Sequence, residues 1–180
     1  MKKYIIGFIS VTRLIFFKYL LRLNVNFHYL QSHSLSSEIK VNKKAKLVLA
    51  KNTQLSADCD IFLGKGALIE IGERTFFNKR CMVSAHKEII IGRNCLFGPD
   101  VKIYDNNHVI KAGAGVVHGE HSSKAIYIGN NCWLASNVVV LAGATIEDNC
   151  VIGAGVIIKG HVPANSIVKT STTNQIVQIL

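Results

Sequence analysis

The stretch whose reading decides the fold runs from Ile128 to Pro163, IGNNCWLASNVVVLAGATIEDNCVIGAGVIIKGHVP. Along it, and one step beyond, an aliphatic or small apolar residue returns at every sixth position: Ile128, Leu134, Val140, Ile146, Ile152, Ile158 and Ala164. A short side chain commonly follows the anchor, as in Ile128-Gly129, Leu134-Ala135 and Ile152-Gly153. Four places after the anchor stands another small or β-branched residue: Cys132, Val138, Ala144, Cys150, Val156 and Val162. An amphipathic helix needs apolar residues at a period near 3.6 and a half-buried strand needs a period of 2, so neither describes a period of six. Short strands joined by tight bends at fixed intervals do describe it, which is the pattern of a parallel β-helix.

The same spacing extends upstream with interruptions. Leu49, Leu55 and Ile61 are six apart, Gly64-Lys65-Gly66 breaks the phase, and Ile71, Phe77 and Val83 resume it; a further slip of two leads to Ile91, Phe97 and Ile103. Each in-phase group holds three hexapeptides, as one turn of a three-sided coil requires, and the breaks are expected at its corners, where surface turns tolerate insertion. The largest break, about residues 105–125, reads DNNHVIKAGAGVVHGEHSSKA and has three histidines and no anchor. Loops longer than about 12 residues are uncommon in compact domains and usually functional. Chemistry is therefore sought there. The expected organisation is all-β: a basic N-terminal helix and connector over 1–46, a repeat domain over 47–168 with one long excursion loop, and a polar tail over 169–180.

With 180 residues, 49% of them hydrophobic, the chain can bury one sizeable core. Its net charge of +10 is unevenly placed: residues 1–51 hold ten Lys or Arg against Glu38 alone, and the remainder is nearly balanced. The basic character belongs to the N-terminal segment rather than to the repeat. That segment opens MKKYIIGFISVTRLIFFKYLLRLNVNF and reads as one helix. A spanning helix needs roughly 18 or more consecutive apolar residues, and Arg13, Lys18 and Arg22 interrupt this one. No small-x-small cleavage site follows it, so a secretory signal fits poorly and a cytoplasmic protein is expected. Two readings of residues 1–23 stand side by side. The helix lies on the inner face of a membrane, apolar residues at the headgroup boundary and Lys or Arg on anionic lipid, or its apolar face packs on the body of the protein or a neighbouring subunit. From Ser32 to Lys46 the chain is polar and basic and reads as a connector.

All five cysteines, Cys59, Cys81, Cys95, Cys132 and Cys150, fall four places after an anchor, where other repeats put Thr75, Val101, Val138 or Ala144. Cysteine serves there as a small buried residue. There is no C-x-x-C pair, so disulfide, zinc and thiol-nucleophile chemistry are disfavoured. The absence of a Gly-rich phosphate loop and of an aromatic basic platform likewise disfavours NTPase and nucleic-acid functions.

The repeat, following a loop that opens YDNNH, resembles the hexapeptide-repeat acyltransferases. Within them it is most similar to the sugar O-acetyltransferases of bacterial surface polysaccharides and to the maltose and galactoside acetyltransferases. The likeness covers about residues 47–168. It implies a left-handed parallel β-helix, a homotrimer, acetyl-CoA in the cleft between neighbouring subunits, and a sugar or polysaccharide acceptor. The family's catalytic histidine opens the excursion loop in a D-x-N-H setting, here Asp105-Asn106-Asn107-His108. His108 would act as general base, and Asp105 would either orient its ring or cap a turn. Trp133, Ser136, Ala154 and Lys159 fall at positions that line the donor, and Asn78 at an acceptor-side asparagine.

Three departures are visible. The basic residue near Lys159-Gly160 is displaced by one place, the acceptor-side Asp is missing around Ser84-Ala85-His86, and the tail begins KTSTTNQ instead of G-N-P-A. His86 and His161 occupy coil positions and read as packing or surface residues. The expected function is acetyl transfer from acetyl-CoA to a sugar hydroxyl, with no metal. The alternatives are a non-catalytic trimeric solenoid that binds glycan or scaffolds a synthesis complex, and a metal-dependent hydratase on the same fold, with His108, His118 and His121 as ligands.

Overall fold

The structure, a computed structural model, describes residues 2–170; most of the tail expected over 169–180 lies outside the described residues. From Asn24 onward the chain winds into a three-sided coil whose faces are parallel sheets of seven, seven and six strands. Six full coils cover residues 24–41, 46–63, 68–85, 88–104, 126–140 and 145–158, and a partial one covers 161–168.

The six-residue anchors are the stacked interior. Leu49, Ile71, Ile91, Ile128 and Ile146 are successive register partners on the first sheet. Leu55, Phe77, Phe97, Leu134 and Ile152 are partners on the second, and Ile61, Val83, Ile103, Val140 and Ile158 on the third. All are buried. Burying each large aliphatic or aromatic side chain is worth about 1.5–3 kcal/mol, and Phe77 and Phe97 stack with centroids 4.4 Å apart.

The bends follow from local chemistry. One corner repeats a left-handed residue, φ 56° to 60°, at Arg74, Asn94, Asn131, Asn149 and Asn165; asparagine tolerates this conformation better than most residues. The four asparagines form a side-chain ladder, each Nδ2 donating to the next Oδ1 at 3.0 Å. At the same corner a Cβ on Gly92 would lie 2.6 Å from the Gly129 carbonyl oxygen, so the following coil excludes any side chain there. The position four after the anchor has a further use beyond filling space. Thr75 Oγ1 donates to the Gly92 carbonyl at 2.9 Å, and the thiols of Cys95, Cys132 and Cys150 donate to the carbonyls of Gly129, Glu147 and Pro163 at 3.1 to 3.2 Å. Hydrogen bonding to Cys59 and to Cys132, and then burial, push the Cys81 and Cys95 thiols up. Such sulfurs are structural groups.

Two boundaries differ from the sequence reading. The coil begins at Asn24, so the stretch read as a connector is a complete first coil: Phe27, His33 and Ile39 pair with Leu49, Leu55 and Ile61. The six-residue spacing was present, but a histidine holds one anchor position. At the other end Ile146 pairs with Val162 and Ile152 with Val168. The last coil is therefore two residues shorter than the one before, and Val162 replaces Ala164 as the anchor because the bend after Ile158 shrinks to Lys159-Gly160.

Helix α1 (Lys2–Ile15) continues into a π-helical turn, Phe16–Leu20, closed by the Leu21 N–H to the Phe16 carbonyl at 3.2 Å. It caps the open end of the first coil. Leu14 and Ser10 are buried against it, Ser10 Oγ accepts the His33 N–H at 2.8 Å, and Arg13 Nη1 donates to the Ser37 carbonyl at 2.7 Å. Packing on the body is thus one role of this helix. Among the described residues no helix is long and apolar enough to cross a membrane.

His33 is 3% exposed, with Nε2 3.2 Å from Gln31 Oε1. Burial, and then the charge of Arg13, hold its pKa down at about 4. The native state therefore resists a proton that the unfolded chain accepts below about 6.5. This contribution to stability is whole above that pH and falls by about 3 kcal/mol as pH drops toward 4. Thermal melts across this window should show a smaller loss for His33→Leu, which supplies the usual anchor; an equal loss in both proteins would refute the assignment.

Candidate functional site

The excursion leaves the corner after the strand Lys102–Tyr104 and is an antiparallel hairpin, Asn106–Lys111 with Gly115–Ser123, where an irregular loop was expected. Its tip turns through Gly113, at φ 77°. The register shifts beside His108: Val109 faces Val117, whereas His108 faces His121, leaving residues 118–120 as a bulge. Bulges re-aim neighbouring side chains.

Asp105 fixes the root of the hairpin. It is fully buried. Its Oδ1 accepts the His86 N–H at 2.7 Å, and its Oδ2 accepts those of Lys87 and Glu88 at 2.7 and 2.8 Å. The Lys124 N–H donates to the Asp105 carbonyl at 2.8 Å where the chain re-enters the coil. Of the two roles open to Asp105, the geometry supports turn capping, across to the preceding coil. Among the described residues no hydrogen bond joins its carboxylate to His108.

Above this root the imidazoles cluster. The His108 and His121 ring centroids are 4.9 Å apart, His121 and His86 4.2 Å, and His86 and Phe62 5.7 Å. His86, read as a packing or surface residue, thus links the coil to His108 through a row of mutually tilted rings. It was missed because it precedes His108 by one coil rather than lying in the loop. Burial, and then the neighbouring His121, hold the His86 pKa below its ordinary value. His118 sits in the bulge and is exposed. Among the described residues no group of three His, Cys, Asp or Glu is placed to hold a metal.

Of the donor-side candidates, Trp133, Ser136 and Ala154 lie along a different edge. Trp133, 51% exposed, belongs to an outward column of the second sheet with Phe76, Leu96, Val151 and Ile167. Ser136 and Ala154 are stacked at the corner where that sheet ends, the Gly155 N–H donating to the Ser136 carbonyl at 2.9 Å. Asn78 is on the same corner, its Oδ1 accepting the Lys79 N–H at 2.8 Å. Lys159 is exposed on the hairpin's corner, after the third-sheet strand Ile157–Ile158. Within one chain the third-sheet strands Lys102–Tyr104, Val139–Val140 and Ile157–Ile158 separate His108 from Trp133, Ser136, Ala154 and Asn78. The two groups do not share one pocket of a single chain.

Residues 125–160 match the family model described as bacterial transferase hexapeptide (six repeats). Over those residues the repeat is similar to that of the bacterial hexapeptide transferases. This hexapeptide-repeat chain is 35% identical over 107 residues to the galactoside O-acetyltransferase of Escherichia coli (strain K12), covering 59% of itself and 52% of that protein. A galactoside acetyltransferase solved in complex with coenzyme A is 34% identical over 59% of this chain and 53% of that one, with a TM-score of 0.54. A hexapeptide-repeat acetyltransferase of Vibrio cholerae O1 biovar eltor, solved with acetyl coenzyme A, is 26% identical over 64% and 63%, also with a TM-score of 0.54. The chain spans about half the length of the curated relatives it matches.

Asp105→Ala leaves three N–H groups without their acceptor, at about 1–3 kcal/mol each. It should lower stability by about 3 kcal/mol or more and raise amide exchange through the hairpin. Were Asp105 instead the partner of the His108 ring, Asp105→Asn would reduce turnover at unchanged stability and exchange, and denaturant titration with exchange mass spectrometry separates the two outcomes.

Proposed function

We propose that this chain transfers the acetyl group of acetyl-CoA to a sugar hydroxyl, with His108 as general base. The observation that carries the reading is the display of an exposed His108 outside the coil, on a hairpin rooted by Asp105 and braced by His121, in a chain similar to O-acetyltransferases. A sugar hydroxyl is too weak an acid to attack a thioester unaided near neutral pH. As its oxygen forms a bond to the acetyl carbonyl carbon, an imidazole nitrogen of His108 takes the proton. The tetrahedral adduct then expels the coenzyme thiolate, to which the same proton returns. A positioned base of this kind typically gives about 10² to 10⁴ in rate.

On the donor side Trp133 would flank the thioester, Ser136 and Ala154 would let the pantetheine arm approach the backbone, and Lys159 would meet a phosphate. Asn78 would bind the acceptor, and Asp105 would act as a positioning residue through the hairpin. Because the two groups lie on different edges of one chain, we propose that the site is completed between copies in a trimer, one copy presenting its hairpin to the Trp133 edge of the next. The outward column of Leu96, Trp133 and Ile167 gives such a contact apolar surface. The acceptor proposed is a bacterial surface polysaccharide or its precursor, modified in the cytoplasm, where acetyl-CoA is available.

His108→Ala should reduce acetylation of a glycan panel by about 10²-fold or more, with coenzyme affinity changed only by a small factor. The ionisation in the pH profile of kcat/KM should disappear with the imidazole. Near-full activity in this variant would overturn the assignment of the base. Sedimentation equilibrium should give three times the 19.8 kDa chain mass, and Trp133→Asp should lower both that mass and the activity; a folded, fully active monomer would exclude the shared site.

A further inference from the structure

Helix α1 uses its less apolar side to pack. Gly7, Ser10 and Leu14 face the first coil, with Ser10 and Leu14 buried and a Cβ on Gly7 only 3.2 Å from the Gln31 carbonyl oxygen. The opposite side carries the bulky residues. Ile5, Phe8, Ile15, Phe16 and Tyr19 recur at helical spacing, half a turn away from the packed residues, and are 55%, 74%, 45%, 46% and 70% exposed. Leu20, at 70%, extends the patch. A groove of about 570 Å³ lies along one flank, lined by Phe8, Val11, Tyr29 and Leu30, and a second of about 510 Å³ along the other, lined by Ile9, Phe16 and Phe17. Isolated exposed apolar residues are ordinary, whereas a contiguous stripe of this kind marks an interaction surface.

Charge selects the occupant. Lys18 and Arg22 close the helical segment, Lys18 Nζ lying 5.7 Å from the Tyr19 ring centroid. Lys40, Lys43, Lys44, Lys46 and Lys51 are exposed on the two coils beneath the helix. Glu38, the one acidic residue before Asp58, is held 3.0 Å from Lys40. Residues 1–37 hold no Asp or Glu, so a second copy meeting this stripe through its own would bring no acidic complement to Lys18 and Arg22, which disfavours self-association there. An apolar stripe flanked by Lys and Arg, with a tyrosine at its end, matches instead the boundary between headgroups and acyl chains of an acidic bilayer. Lysine stems can lie along the apolar surface while their ammonium groups reach phosphate.

We propose that α1, capping the coil with one side, docks the protein with its other side on an anionic phospholipid bilayer. Phe8, Phe16, Tyr19 and Leu20 enter the headgroup boundary, and Lys18 and Arg22 contact lipid phosphate. The proposal stands apart from acetyl transfer and fails or succeeds without it.

The full chain is sedimented with phosphatidylcholine vesicles, with and without phosphatidylglycerol. Binding is expected to the acidic vesicles only and to weaken with salt. Phe8→Asp with Tyr19→Asp should lower the partition coefficient at least tenfold, and Lys18→Gln with Arg22→Gln by on the order of 25-fold, about fivefold per basic residue. Phe8, Tyr19 and Arg22 are exposed and Lys18 is half-buried, and far-UV circular dichroism checks that α1 persists. Equal binding to neutral and acidic vesicles, or vesicle binding unchanged in Phe8→Asp with Tyr19→Asp, would overturn the proposal. A changed sedimentation mass in that variant at unchanged vesicle binding would also overturn it and assign the face to contact between copies.

Discussion

Equivalent residues of successive coils sit directly on one another, and little else in the molecule is free to vary once that stacking is imposed. Where Gly72 meets Gly92, and Gly92 meets Gly129, an added Cβ would come within 2.5 to 2.6 Å of the next backbone. These close approaches set the spacing at which the Asn94, Asn131, Asn149 and Asn165 amides link into a chain and at which thiols and hydroxyls reach the carbonyl of the following coil. The interior is then a set of columns of nearly constant width, filled by Ile, Leu, Val and two stacked phenylalanines. Each interaction is modest, but it is repeated at every level, and the repetition gives a rigid prism from which a hairpin can project.

The reactive-looking part of the molecule depends on that prism through a single buried carboxylate. Asp105 is where the chain leaves the stack, and its oxygens bind the backbone one coil away. This ties the position of His108 to the position of His86. The row of tilted rings from Phe62 through His86 and His121 to His108 crosses from coil to hairpin, so the orientation of the exposed imidazole depends on coil packing as well as on the hairpin's own turn. Trp133, Ser136 and Ala154 stand at another edge of the same prism. A rigid three-cornered body can present both edges at once, each toward a different neighbour.

Much of this was legible in the sequence because the interior columns impose a spacing that neither a helix nor a flat strand would produce. Leu49 through Ile158 could be assigned to three columns from spacing alone. The first coil was hidden because His33 fills an anchor position and is satisfied by Gln31 rather than by apolar contact. The shortened last coil was hidden because Val162 is apolar in either phase, so pattern alone cannot decide between it and Ala164. The hairpin was obscured by glycines around its tip and by the bulge that interrupts its alternation. The choice for Asp105 between orienting the His108 ring and capping a turn was not legible, because its hydrogen-bond partners lie 17 to 19 positions upstream. The two faces of α1 could not be told apart because the packed face uses Gly7 and Ser10, and the most apolar side chains point away from the body.

Successive coils take fewer residues along the chain. Lys46 pairs with Leu68, a step of 22, Leu68 with Glu88, a step of 20, Tyr127 with Thr145, a step of 18, and Thr145 with His161, a step of 16. The repeat is therefore not interchangeable with itself, and growth of such a chain by internal duplication is constrained by level. A copied 22-residue turn can be spliced beside the first two coils, where its bends already match. The same segment inserted near the C-terminal end would meet tighter corners above and below, and its surplus residues would have to bulge outward as a new loop. The large excursion after Tyr104 sits at the level where the step falls from 20 to 18, so a change of gauge in the winding coincides with the place where the chain acquired a protruding element.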